Sequence, residues 1–142
     1  MEKKMQLHKN NSEIYVPDGK PVDEAIKRIT HMGIAAHQDD LEIMAYPGIL
    51  DCFGRNDKWF MGVTVTDGAG SPRDDLYANY TDEQMKQVRH IEQIKAAFVG
   101  EYGAQAFLEF ASSEVKDPTN RQVVEDIKQV IGAARPSVLY TH

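Results

Sequence analysis

Apolar positions along the chain follow two alternating rhythms. Short, nearly unbroken apolar runs occur at residues 30–36, 59–66, 104–110 and 137–142. Runs of that length, bounded by turn-forming residues, predict strands buried on both faces. Between them, apolar residues recur at helical spacing: Val22, Ala25, Ile26 and Ile29; then Met85, Val88, Ile91, Ile94 and Phe98; then Val123, Val124, Ile127, Val130, Ile131 and Ala134. Punctuation supports these helices. Pro21 is tolerated in a first helical turn, Thr81 and Gln84 form a capping box, Gly100 stops the central helix, and Asp117-Pro118 reads as the start of the last one. Residues 41–53 begin helical, but Pro47-Gly48 should kink or restart that helix. A long connection, 67–80, follows the second strand and opens with the glycine-rich Asp67-Gly68-Ala69-Gly70.

Strands alternating with helices of crossover length predict an α/β domain. The expected form is a Rossmann-like parallel sheet with helices on both faces, truncated after about the fourth core strand. Residues 1–20 are polar and irregular apart from Ile14, Tyr15 and Val16, and predict a flexible N-terminal arm with one short edge strand. The domain itself is expected over 21–142, incomplete at its carboxyl end.

Composition narrows the function. A net charge of -6 argues against a nucleic-acid groove, which needs clustered Lys and Arg. The single cysteine, Cys52, excludes an internal disulfide framework and fits a reducing, cytoplasmic setting. The charged N-terminus has no apolar core of a secretory signal behind it, and no apolar run approaches the ~18 residues of a membrane span.

The chemistry concentrates where the first core strand ends. Ala36-His37-Gln38-Asp39-Asp40 puts an imidazole and two carboxylates on one strand-to-helix connection. His37 and Asp40 are three residues apart, so a tight turn can aim both at one divalent ion, with Asp39 free to accept a proton from its water. The plainer reading is that one aspartate caps the following helix and His37 merely ends a strand. In an open parallel sheet, ligands sit outside the carboxyl ends of the strands. The 67–73 loop, Ser112, Ser113 and His142 are expected on that same edge. Arg73, on the long loop, is a candidate to touch substrate. Arg89 and Glu92 read, by spacing alone, as a surface ion pair. His31 and His90 have no carboxylates at ligand spacing.

Ala36-His37-Gln38-Asp39-Asp40 followed by Glu42 resembles the Ala-His-Pro-Asp-Asp-x-Glu signature of the PIG-L/LmbE-like family of zinc-dependent de-N-acetylases, with Gln38 where the family usually has proline. The resemblance implies one zinc ion held by His37 and Asp40, Asp39 as general base, and Arg89 as the match to an arginine that helps hold substrate. It implies a small-molecule substrate, an N-acetylated amino sugar or its conjugate, and loss of the acetyl group. The family's third zinc ligand comes from a His-x-x-His segment after the fourth strand. The sequence in hand stops at His142, which matches the Thr-His ending of that strand and is expected near the metal but not on it. An alternative expectation follows: a non-catalytic fragment with feeble metal affinity and an apolar face that invites assembly into a homo-oligomer. A magnesium-dependent phosphoacceptor or phosphatase is a further alternative, which leaves His37 unexplained.

Overall fold

The computed structural model describes residues 5–142. In chain order the elements are β1 (Glu13–Tyr15), α1 (Val22–Lys27), β2 (His31–Ala35), α2 (Asp40–Met44), α3 (Tyr46–Cys52), β3 (Phe60–Thr66), a 3-10 turn (Asp75–Tyr77), α4 (Asp82–Val99), β4 (Ala104–Phe110), α5 (Ser112–Lys116), α6 (Arg121–Ala134) and β5 (Val138–Tyr140). The strands form one sheet in the order β1-β4-β3-β2-β5. β2 to β5 run parallel, and β1 joins the far edge antiparallel to β4. The chain therefore builds outward from β2 through β3 to β4, then crosses back to lay β5 on the other side of β2. That reversal is a topological switch point, the place where doubly wound sheets bind ligands.

The two faces of the sheet are built differently. On one, α1 and α6 cover Met32, Ile34, Met61, Val63, Val65, Ala106 and Leu108, a wholly apolar layer. On the other, α2, α3 and α4 pack on Ala35 and Phe60 with Leu41, Ala45, Ile49, Ala97 and Tyr102. Gly33 and Gly62, paired across β2 and β3, lie on this second face. A Cβ at Gly33 would come within 2.8 Å of a Leu41 methyl, and one at Gly62 within 2.8 Å of the other. The missing side chains form the hollow that Leu41, fully buried, fills. Burying a leucine contributes roughly 2 kcal/mol, and here it also pins α2 to the sheet directly after Asp40.

One local expectation, the restart of the helix at Pro47, holds, and two are corrected. The break in the 41–53 helix falls at Ala45, so Pro47 sits in the first turn of α3, where its missing donor costs nothing. The last helix is capped by Asn120, which accepts from the Gln122 amide at 2.9 Å, while Asp117 folds a turn onto Thr119 and the unanticipated α5 precedes it. Of the stripe expected on α4, Met85 is buried and Val88 and Ile94 are half-buried, but Ile91 and Phe98 are not. Ile91 and Phe98 are 53% and 63% exposed, and the inward positions are Met85, Gln93 and Ala97, with Arg89 on the same line. The sheet surface beneath α4 carries Thr64 and Gln105, so the helix turns its polar side inward to meet them.

Of the arm expected over 1–20, residues 1–4 lie outside the described residues. The rest is tied down by polar contacts. The His8 amide and ring both bond the fully buried Asp126 carboxylate of α6, and Gln6 exchanges hydrogen bonds with Gln129. Met5 and Leu7 pack against the core layer under α1 and α6.

Candidate functional site

The turn from β2 into α2 is held from three sides. Leu41 plugs the glycine hollow. Gln38 is buried and donates to the Thr66 carbonyl at 3.2 Å, which fastens the turn to the end of β3. The Ala36 carbonyl accepts the Thr66 amide at 2.9 Å. Gln38, with no chemistry expected of it, is thus a structural anchor.

Asp39 opens α2 with a left-handed backbone, φ 73°. That conformation is unusual for a residue with a side chain and concentrates at functional sites. Its carboxylate makes no cap hydrogen bond. It points across to α4 instead, where the Arg89 guanidinium donates to Oδ2 at 3.0 Å. Asp40, the first residue of α2, turns back: its Oδ2 accepts the His37 amide at 3.1 Å and lies 3.4 Å from His37 Nδ1. The imidazole and the carboxylate therefore face each other, and the capping alternative fails for both aspartates.

His142, just past β5, reaches the same point from across the switch. Its Nε2 lies 3.8 Å from Asp40 Oδ2 and accepts the Ala36 amide at 3.0 Å. An Nε2 that accepts has its lone pair engaged. Among the described residues, no group of three or more His, Cys, Asp and Glu side chains could hold a metal ion.

Arg89 is oriented by three partners: Asp39, the Gln38 carbonyl at 3.1 Å, and Glu92 one turn along α4. The pair with Glu92 was legible from spacing; the reach to Asp39, fifty residues away, was not. Gly68, with φ 85°, lies against the Arg89 stem, where a Cβ would meet Cβ and Cγ at 2.8 and 2.9 Å. The glycine loop thus closes on Arg89. Arg73 takes another course. It donates to the Tyr80 and Ser71 carbonyls and to Asp82, so it braces its own loop against the start of α4. Its contacts give no support to the expectation that it touches substrate.

A second acidic group borders the edge. β4 bulges between its pairings at Thr64 and Thr66, and Glu109, at φ 63°, occupies the irregularity. Burial, then the nearby Asp67 charge, pushes its carboxyl up to about 7.

Behind α2 lies a polar network absent from the sequence expectations. Glu42 Oε1 accepts from the Tyr102 hydroxyl at 2.7 Å and from Gln93 Nε2 at 2.9 Å. Gln93 stands four residues after Arg89, so the same helix line that grips Asp39 also grips Glu42.

An open, mostly parallel α/β sheet with an acid–imidazole turn at its switch point puts that turn where domains of this class bind ligands. Comparison with protein families makes this specific. The family described as PIG-L, GlcNAc-PI de-N-acetylase, matches residues 32–142. The chain belongs to this family, whose members are hydrolases of the de-N-acetylase type. No curated protein and no solved structure matches the chain. Among the described residues, no helix is long and apolar enough to cross a membrane.

Proposed function

We propose that this site removes the acetyl group from an N-acetylated amino sugar or its conjugate, with one zinc ion held by His37 and Asp40 and with Asp39 as general base. The observation that carries the reading is the 3.4 Å separation of His37 Nδ1 and Asp40 Oδ2. It is long for a hydrogen bond. Two donors each about 2.1 Å from a tetrahedral centre lie about 3.4 Å apart, so the pair fits zinc. An imidazole in the pair favours zinc over magnesium, which takes oxygen ligands, and so disfavours the phosphatase alternative.

When bound, the ion would polarise the amide carbonyl and acidify a water toward neutrality. The rest falls to the chain. Asp39, with Oδ2 on Arg89, has Oδ1 left to take the water's proton and return it to the departing amine. Arg89 holds that carboxylate in line, and after its contacts with Glu92, Gln38 and Asp39 one Nη1 N–H is left for a substrate oxygen. His142 borders the ligands without joining them. The buried Cys52 fits the reducing cytoplasm.

The test is zinc content measured beside acetate release from an N-acetylglucosamine conjugate. His37→Ala should lose the metal. Asp39→Ala should keep it and lose about 10²–10⁴ in rate, the usual worth of a positioned acid–base. An Asp39→Ala protein that turns over at the wild-type rate removes the mechanism.

Self-association is a second reading. Val138 and Leu139 of the outer strand β5 are exposed, as are Phe53 and, before it, Tyr46 and Leu50 of α3, which packs through Gly48 on the Tyr140 ring. Light scattering that shows only a monomer at high concentration removes it.

A further inference from the structure

The proposed chemistry leaves Glu42, Gln93 and Tyr102 without a task, yet the structure commits buried groups to them. Glu42 is the third residue of α2. A glutamate there commonly reaches back to the amide that opens its own helix. Glu42 reaches away instead, to Gln93 on α4 and to Tyr102 just before β4, both 1% exposed. Burial and the Glu42 charge push the Tyr102 phenol up, so it stays protonated and remains a donor. The second carboxylate oxygen, Oε2, is buried and has no partner among the described residues. A buried carboxylate oxygen left without a partner is costly and calls for a function beyond packing.

The geometry of α2 supplies one. The helix has five residues, too few to hold its own shape in isolation. On the sheet side it is held by Leu41, an apolar contact with no directional preference that leaves the helix free to roll. The two hydrogen bonds to Glu42 are directional and come from another element. They set the roll. Asp39 and Asp40 sit at the start of the same short helix, so its roll sets where both carboxylates point.

Resting on the assignment of His37 and Asp40 as ligands, we infer that Glu42, gripped by Gln93 and Tyr102, is a positioning residue that orients α2 and so fixes the His37–Asp40 spacing and the metal affinity it gives. Partners behind metal ligands typically change affinity 10–100-fold when removed.

Two measurements on the whole protein test this: zinc affinity by competition with a chromophoric chelator, and amide hydrogen exchange over residues 37–44. Tyr102→Phe and Glu42→Ala should each weaken zinc binding at least tenfold and speed exchange in that segment. Glu42→Gln keeps an acceptor oxygen and should recover most of both. His8→Ala, which strips the ring from Asp126 on the opposite face, should lower the Tm and leave zinc affinity unchanged. Affinity and exchange at wild-type values in Tyr102→Phe overturn the inference, as does affinity that follows Tm equally in His8→Ala. A wild-type protein without zinc, whose exchange still quickens in Tyr102→Phe, overturns the ligand assignment and keeps the orienting role of Glu42.

Discussion

The two faces of one sheet divide the labour in this molecule. Under α1 and α6 the surface is continuous hydrocarbon: Met32, Ile34, Met61, Val63, Val65 and Leu108 meet Val123, Val130 and Ala134. Under α2 and α4 it is interrupted by Gly33 and Gly62 and carries Thr64 and Gln105, met by Gln93 and Glu42. Hydrocarbon burial is strong and non-directional. Hydrogen bonds between buried groups contribute little net stability, but they fix orientation and are costly to leave unmade. The first face can therefore keep the domain folded while the second holds the His37–Asp40 turn in register. Stability and site geometry should be separable by face.

The largest effect is expected on the apolar face. Leu108→Ala removes a fully buried side chain and should cost about 2–5 kcal/mol in urea unfolding. Zinc affinity of the protein that remains folded should be unchanged. A parallel loss of affinity would show that the faces are not independent.

Next comes the charge on the polar face. Glu109 is faced by His90 and Lys86 of α4, Glu13 of β1 and Asp67 after β3. Its carboxyl titrates at about 7 in the fold against an ordinary value of 4.5. Between those values the folded protein keeps a proton that the unfolded chain has released. This contribution is fully present below pH 4.5 and is lost as pH rises through 7, by about 3 kcal/mol in all. Glu109→Gln should remove that slope and be the more stable protein at pH 8, with urea midpoints converging near pH 4. Midpoints that stay parallel from pH 4 to 8 would contradict the burial of this carboxyl.

The smallest change in stability should do the most local damage. Gly62→Ala puts a methyl 2.8 Å from Leu41 and 2.2 Å from the Gln105 amide oxygen. Overpacking of this kind costs about 1–3 kcal/mol. Because Leu41 must shift, α2 lifts, and zinc affinity should fall further than in Leu108→Ala. Retained affinity in Gly62→Ala would break the link between the glycine hollow and the site.

Much of this was legible from residues in order. Four apolar runs became four parallel strands, and the acid–imidazole cluster landed on the carboxyl edge. The reading of α4 held at Met85 and failed at Ile91 and Phe98, instructively. Its apolar positions, Ile91 and Phe98 among them, were assigned inward because apolar residues at helical spacing usually are. Periodicity reports which residues share a helix line. It does not report what surface waits opposite, and here that surface was polar. Gln38 and Glu42 were passed over for a related reason: each works through a partner 28 or more residues away.

What the chain determined by itself was local and chemical. The βα alternation, the capping box at Thr81, and the presence of an imidazole and two acids on one turn all follow from short-range sterics and side-chain type. Only the tertiary structure decided that Asp39 would lean on Arg89, that Arg73 would brace a loop, and that Gln93 and Tyr102 would grip Glu42. Those outcomes depend on strand order and on contacts between distant segments, and the free energies that choose among them are set by what packs against what, which no local pattern encodes.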